Sequence, residues 1–191
     1  MSAAAWAPVS LAVVSAGVGC PRPARRLADW VTEAVCRSLA AGGVRAEVEV
    51  LELHRLAADL ARHSIQGRIS LDLWEAIAAV VAADGLVVAT PVRAASPSEV
   101  FDSFLAILGH GVLSDMPVLL ALNSSSDRQP PDITQVMRRR LTAVHADPVP
   151  TVVVASPVDW RATALSGAAR LRACIDRAAV ELAAAMRSHR Q

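Results

Sequence analysis

The sequence predicts an α/β domain built on a doubly wound, five-stranded parallel sheet with helices on both faces. Three observations predict it. Short, continuously apolar runs such as Ser10–Ser15 (SLAVVS) and Leu86–Thr90 (LVVAT) read as strands covered on both faces. Between them lie longer stretches whose apolar residues recur at helical spacing. The two kinds of segment alternate through the chain, as they do where strand, helix and strand build a parallel sheet.

Each element follows from local chemistry. Met1 to Pro8 carry no Lys or Arg ahead of an apolar core, so they lack the charged region of a secretory signal and read as a flexible leader; the expected location is cytoplasmic. The first strand ends at Ser15, where Ala16-Gly17-Val18-Gly19, Pro21 and Pro23 make a loop. From Ala24 to Ala41 the residues Leu27, Val31, Ala34, Val35 and Leu39 share a helical face, and Gly42-Gly43 stops the helix. Arg45–Leu53 alternates acid with Val and Leu, which marks a strand with one better covered face, toward the edge of the sheet. Leu56–His63 reads as a short helix broken at Gln66-Gly67-Arg68, and Leu71–Ala83 as another that leads through Asp84-Gly85 into the third strand, ended by Pro91. Glu99–Leu108 is helical in Val100, Phe104, Leu105 and Leu108; Pro117–Leu122 is the fourth strand. Ile133–Val144 is a helix, Thr151–Ala155 the fifth strand and Thr163–Arg187 the closing helix.

Composition bounds what such a chain does. At 191 residues and 20.0 kDa, with no linker or repeat, 1–191 reads as one domain. The apolar share of 53% excludes a disordered chain, yet no apolar run reaches the length of a membrane span. The net charge is +1 and the 19 basic residues are all arginine, spread along the chain, so no field exists to hold a nucleic acid. Cys20, Cys36 and Cys174 are too few and too far apart for a disulfide framework or a zinc site and read as reduced thiols. His54, His63, His110, His145 and His189 stand alone, which argues against a metal site, and no Gly-x-Ser-x-Gly elbow supports hydrolysis.

In an open doubly wound sheet, ligands sit beyond the carboxyl ends of the strands, which directs attention to Ala16–Ala24, Pro91–Pro97 and Asn123–Arg128. The first loop opens a helix N-terminus, whose amides and dipole attract an anion, and Arg22, Arg25 and Arg26 add charge; the plainer reading is a turn with solvated arginines. Gly17-Val18-Gly19 is not a dinucleotide fingerprint, because Arg22 stands at the third glycine position. In the second loop Pro91 forces extended backbone suited to lie against a flat ring, and Ser96 or Ser98 caps the next helix. The third loop, Asn123-Ser124-Ser125-Ser126, offers amide and hydroxyl groups to a heterocycle or is ordinary loop filler. Arg138-Arg139-Arg140 reads as a solvated turn of helix.

Leu11-Ala12-Val13-Val14-Ser15-Ala16-Gly17, Arg25-x-Leu27-Ala28-Asp29 and Ala83-Asp84-Gly85-Leu86 stand in the same order as in one known family, as do Ala89-Thr90-Pro91-Val92-x-Ala94-Ala95-Ser96-x-Ser98 and Phe101-x-Ser103-Phe104-Leu105. On these motifs nearly the whole chain resembles the NADPH-dependent FMN reductases, particularly actinobacterial members that serve luciferase-like monooxygenases. The resemblance implies a flavodoxin-like fold, with FMN and NAD(P)H as cofactors and no catalytic acid or base, since the flavin carries the chemistry. It implies that Ser15, Arg22 and Arg25 face the flavin phosphate, Pro91, Val92 and Ser96 the ribityl chain and ring, and Asn123, Ser124 and Ser125 the ring edge. It also implies a flavin-dependent monooxygenase as partner, and a homodimer or homotetramer paired through the region of Val100, Phe104, Leu105 and Leu108. The chain departs from the family in its binding loops: Arg22-Pro23-Ala24 replaces a hydroxyl run, Asp102 a lysine, and Ser124-Ser125 a Gly-Gly pair. Two other readings therefore stand beside a reductase that releases reduced FMN. One is a degenerate homologue that no longer binds FMN and acts as a structural or regulatory partner; the other keeps its flavin and reduces a quinone or azo compound.

Overall fold

A strand that is apolar on both sides must be covered on both sides, and the chain meets this with two helical layers. The computed structural model describes residues 8–17, 22–92, 98–109, 111–126, 132–160 and 165–189. Its strands are β1 (Val9–Ser15), β2 (Ala46–Glu52), β3 (Gly85–Val92), β4 (Pro117–Ser124), β5 (Asp147–Pro148) and β6 (Val153–Ala155). Its helices are α1 (Arg22–Ala41), α2 (Ala57–Gln66), α3 (Leu71–Val81), α4 (Glu99–Leu108), α5 (Ile133–Ala143) and α6 (Leu165–His189), with a 3₁₀ turn at Pro157–Trp160. The sheet runs β2-β1-β3-β4-β5, with β6 also on β4, and every pairing is parallel. This 2-1-3-4-5 order is the flavodoxin-like one, and its switch point lies between β1 and β3.

The period of two along each strand divides the core into two. Leu11, Val13, Val87, Ala89, Leu119 and Ala121 pack against α1 and α6, whereas Ala12, Val14, Leu86, Val88, Leu120 and Leu122 pack against α3, α4 and α5. Gly85 opens β3 where α6 presses closest: a Cβ there would stand 2.6 Å from Met186 Cγ. β2 is the edge strand, as its alternating acids imply. Neither of its faces is well covered: Val48 and Val50, at 40% and 39%, are exposed on one, and Glu47 and Glu49 on the other.

Four expectations are corrected. The third strand does not stop at Pro91 but pairs with β4 through Val92↔Ser124. The reason is the length of its neighbour. Ala16 N–H donates to Ala89 O at 2.8 Å, so Ala89 turns its backbone toward β1, and Pro91, two residues on, faces the same way. Pairing with β1 has already ended at Ser15↔Ala89, so no hydrogen bond is lost to the missing N–H.

The fifth strand is split into β5 and β6, which pair with opposite ends of β4. Arg138 explains how the break is tolerated: its guanidinium donates to the carbonyls of Val149, at 2.7 Å, and of Pro148 and Pro150. The arginine triplet is thus not merely a solvated turn, and Arg140 pairs with Asp102. Finally, Phe104, Leu105 and Leu108 are buried in the chain's own core beside Phe101, and Val100 packs against that core, so this face of α4 is not free for a second subunit.

Candidate functional site

β1, β3 and β4 end side by side, and their ends are held firmly. Leu53 N–H donates to Ser15 O at 2.9 Å on one side of β1, and Ala16 N–H to Ala89 O on the other. Beyond Ala16 no further backbone pairing joins β3 to β1 among the described residues, and the chain leaves the end of β1 for α1. No acidic residue occupies the first turn of α1, so its positive end is not neutralised locally.

Ser15 is buried at the end of β1. Its alternation with Leu11 and Val13 puts it on the α1 side of the sheet, the side shared by Asn123 through Leu119 and Ala121. Val92 is buried on the opposite side, packed with the α3 and α4 layer, while Pro91, alternating with Val87 and Ala89, lies half-buried on the side of Ser15. Arg22 is the first residue of α1, but its side chain lies outside the described residues, as does the whole of Ser96. Ser98, not Ser96, holds the N-cap position of α4; its carbonyl accepts from Phe101 N–H at 2.9 Å, while its buried Oγ has no partner among the described residues.

Arg25 is committed within the protein. Its Nε donates to Asp29 Oδ1 at 2.8 Å and its Nη1 to Glu52 Oε1 at the end of β2. The bond to Asp29 raises the Arg25 pKa, burial opposes that rise, and Glu52 adds to it. Much of this guanidinium's charge is therefore balanced before any ligand arrives. Arg26 is placed differently: its guanidinium carbon lies 5.5 Å from the Trp30 ring and 5.1 Å from the Trp160 ring, within cation–π range of both.

The third loop begins as a self-supporting turn. Ser124 Oγ donates to Ser126 O at 2.7 Å and accepts from Ser126 N–H at 3.1 Å, while Ser125 N–H reaches Val92 O at 3.4 Å and ties this loop to the end of β3. Asn123 Oδ1 accepts from Trp160 Nε1 at 3.0 Å. Neither Trp160 nor Asp159, the buried residue that supports it, stood out in the sequence. No motif joins positions 123 and 160, and a tryptophan after a strand ordinarily reads as core.

Residues 9–161 match the sequence model of a family described as NADPH-dependent FMN reductase. The chain is 31% identical over 171 residues to the NADH-dependent FMN reductase SfnE of Pseudomonas putida, covering 88% of this chain and 90% of that protein. It is similar to the crystal structure of an oxidoreductase from Corynebacterium diphtheriae, with a TM-score of 0.88 at 35% identity over 95% of this chain and 98% of that one. A WrbA-like flavodoxin from Agrobacterium tumefaciens shares the fold, with a TM-score of 0.60 at 16% identity over 96% of this chain and 99% of that one.

Proposed function

The chain belongs to the NADPH-dependent FMN reductase family, and from that premise we propose that it reduces FMN with NAD(P)H and hands the reduced flavin to a flavin-dependent monooxygenase. The observation that carries this reading is the family match across the strand ends, together with the acid-free N-terminus of α1, the helix that follows β1 at the switch point of the sheet.

The residues fit the group. A flavin phosphate needs donors and positive potential, which the first turn of α1 supplies without a competing carboxylate. A ring with acceptor atoms at its edge needs further donors. Asn123 Nδ2 answers this, and at the start of α4 Ser98 Oγ is a buried hydroxyl with no partner among the described residues. Bound FMN supplies the ring that accepts the hydride, and the chain's own part is to bind, orient and exclude water. Ser15, Arg22 and Arg25 form the phosphate side of the proposed site. Because Arg25 already carries two carboxylates, the helix end takes the larger share of the anion. Pro91, Val92 and Ser96 form the side of the ribityl chain, and Asn123, Ser124 and Ser125 that of the ring edge. No side chain is needed as acid or base.

The experiment is FMN-dependent oxidation of NADH and NADPH by the purified protein, followed as loss of the reduced-nicotinamide absorbance. Turnover that saturates with FMN supports the reading; none with either nucleotide overturns it. Reduced flavin released into solution should also sustain an added flavin-dependent monooxygenase, whereas flavin retained on the protein would favour a bound-flavin reductase.

The reading extends to self-association. With the α4 face buried, the exposed apolar side chains Ile65 of α2 and Leu71 and Trp74 of α3, at 83%, 68% and 59% exposure, favour this surface for the proposed subunit contact. Sedimentation should give a dimer or tetramer, and Trp74→Glu should shift it toward monomer by at least about tenfold in dissociation constant. A monomeric parent protein would remove this part of the proposal.

A further inference from the structure

Trp160 and Asn123 are 37 positions apart, yet their side chains meet at the end of the sheet, Nε1 to Oδ1 at 3.0 Å. An indole N–H can only donate. The carboxamide must therefore turn its oxygen toward Trp160, whichever way an amide is otherwise free to flip. This leaves Nδ2, with two N–H donors, as the group Asn123 can offer a ligand. Asn123 stands on β4 opposite Pro91 of β3 and Ala155 of β6, at the mouth described above.

The indole is itself anchored. Asp159 is buried and accepts from Ser156 N–H and Ser156 Oγ, each at 2.8 Å, and from Arg170 Nη2 at 3.2 Å, which fixes the 3₁₀ turn carrying Trp160. The Trp160 ring packs 5.2 Å from that of Trp30 on α1, tilted by 40°, and the Arg26 guanidinium lies against both. The contact thus links α1, the 3₁₀ turn and the end of β4.

We propose that Trp160 is a positioning residue: its indole N–H sets the polarity of the Asn123 carboxamide, so that the end of β4 presents a donor to the acceptor edge of the flavin ring. A donor in that place favours the reduced ring over the oxidised one, because negative charge grows on the acceptor edge as the ring is reduced. The inference rests on the flavin reading of this site.

The test is a double-mutant cycle on FMN affinity, followed by flavin fluorescence, with the midpoint potential of bound FMN as a second readout. Trp160→Phe keeps an aromatic ring against Trp30 but removes the donor. It should weaken FMN binding about 3- to 10-fold and make the potential more negative. Asn123→Ala should do the same, and the double variant should be no worse than Asn123→Ala alone. Asn123→Asp keeps an acceptor for Trp160 while replacing the outward donor, so it should weaken binding at least as much; this variant decides the matter if Trp160→Phe does not fold. Wild-type-like affinity and potential in Asn123→Asp or Trp160→Phe would overturn the positioning role and leave the flavin reading standing, as would simple additivity in the double variant. Failure of the wild-type protein to bind FMN would remove both.

Discussion

Replacing Phe104 with alanine should lower the unfolding free energy by about 3–5 kcal/mol, the usual cost of emptying a fully buried aromatic site. Phe104 is 1% exposed and packs in the α3, α4 and α5 layer with Phe101 and Leu108, so the cavity would open inside a single chain. The loss should therefore be the same at low and high protein concentration. If Phe104 belonged instead to a subunit contact, the effect would shrink as the protein is diluted, because the contact contributes to stability only while the subunits are associated. Denaturant unfolding at two concentrations separates the cases: an equal fall in midpoint at both supports the intrachain core, and a concentration-dependent fall contradicts it.

Pro23→Glu should weaken FMN binding about 10- to 100-fold while leaving riboflavin binding unchanged. Pro23 is exposed in the first turn of α1, where no acidic residue stands. A carboxylate there faces the proposed phosphate position, and like charges a few ångströms apart at a protein surface repel by a few kcal/mol before screening, enough for that loss. Stability should change by less than about 1 kcal/mol, because a favourable dipole interaction offsets the lost rigidity of proline. Riboflavin lacks the phosphate and serves as the internal control. Equal weakening of both ligands would mean that the substitution disturbs the site at large, and no weakening of either would move the phosphate away from α1.

Much of the fold was legible because its signals are local. β1, β3 and β4 are continuous apolar runs, and α4 begins and ends where its spacing predicts, at Glu99 and Leu108. The unread features depend on contacts distant in sequence. Whether a proline ends a strand depends on how far the neighbouring strand reaches, and nothing near Pro91 records that β1 stops at Ser15↔Ala89. The divided fifth strand rests on Arg138 of α5, which reaches three carbonyls 10, 11 and 12 positions further on. The apolar face of α4 has the same spacing whether it meets its own sheet or another subunit.

The candidate site was legible only as a place in the fold, since the carboxyl ends of β1, β3 and β4 follow from topology alone. Individual roles were harder to read. The partner that draws on Arg25 from outside its own helix is Glu52, at the end of an edge strand 27 positions away. The orientation of Asn123 depends on an indole that sequence spacing does not connect to it.

The most direct measurement is titration of the ligand-free protein with FMN, followed by quenching of flavin fluorescence. Saturable one-to-one binding with a micromolar dissociation constant is the expected result. No saturation up to about a millimolar, weaker than roughly 4 kcal/mol, would contradict the flavin site and return the chain to the reading of a homologue that has kept the fold without the ligand.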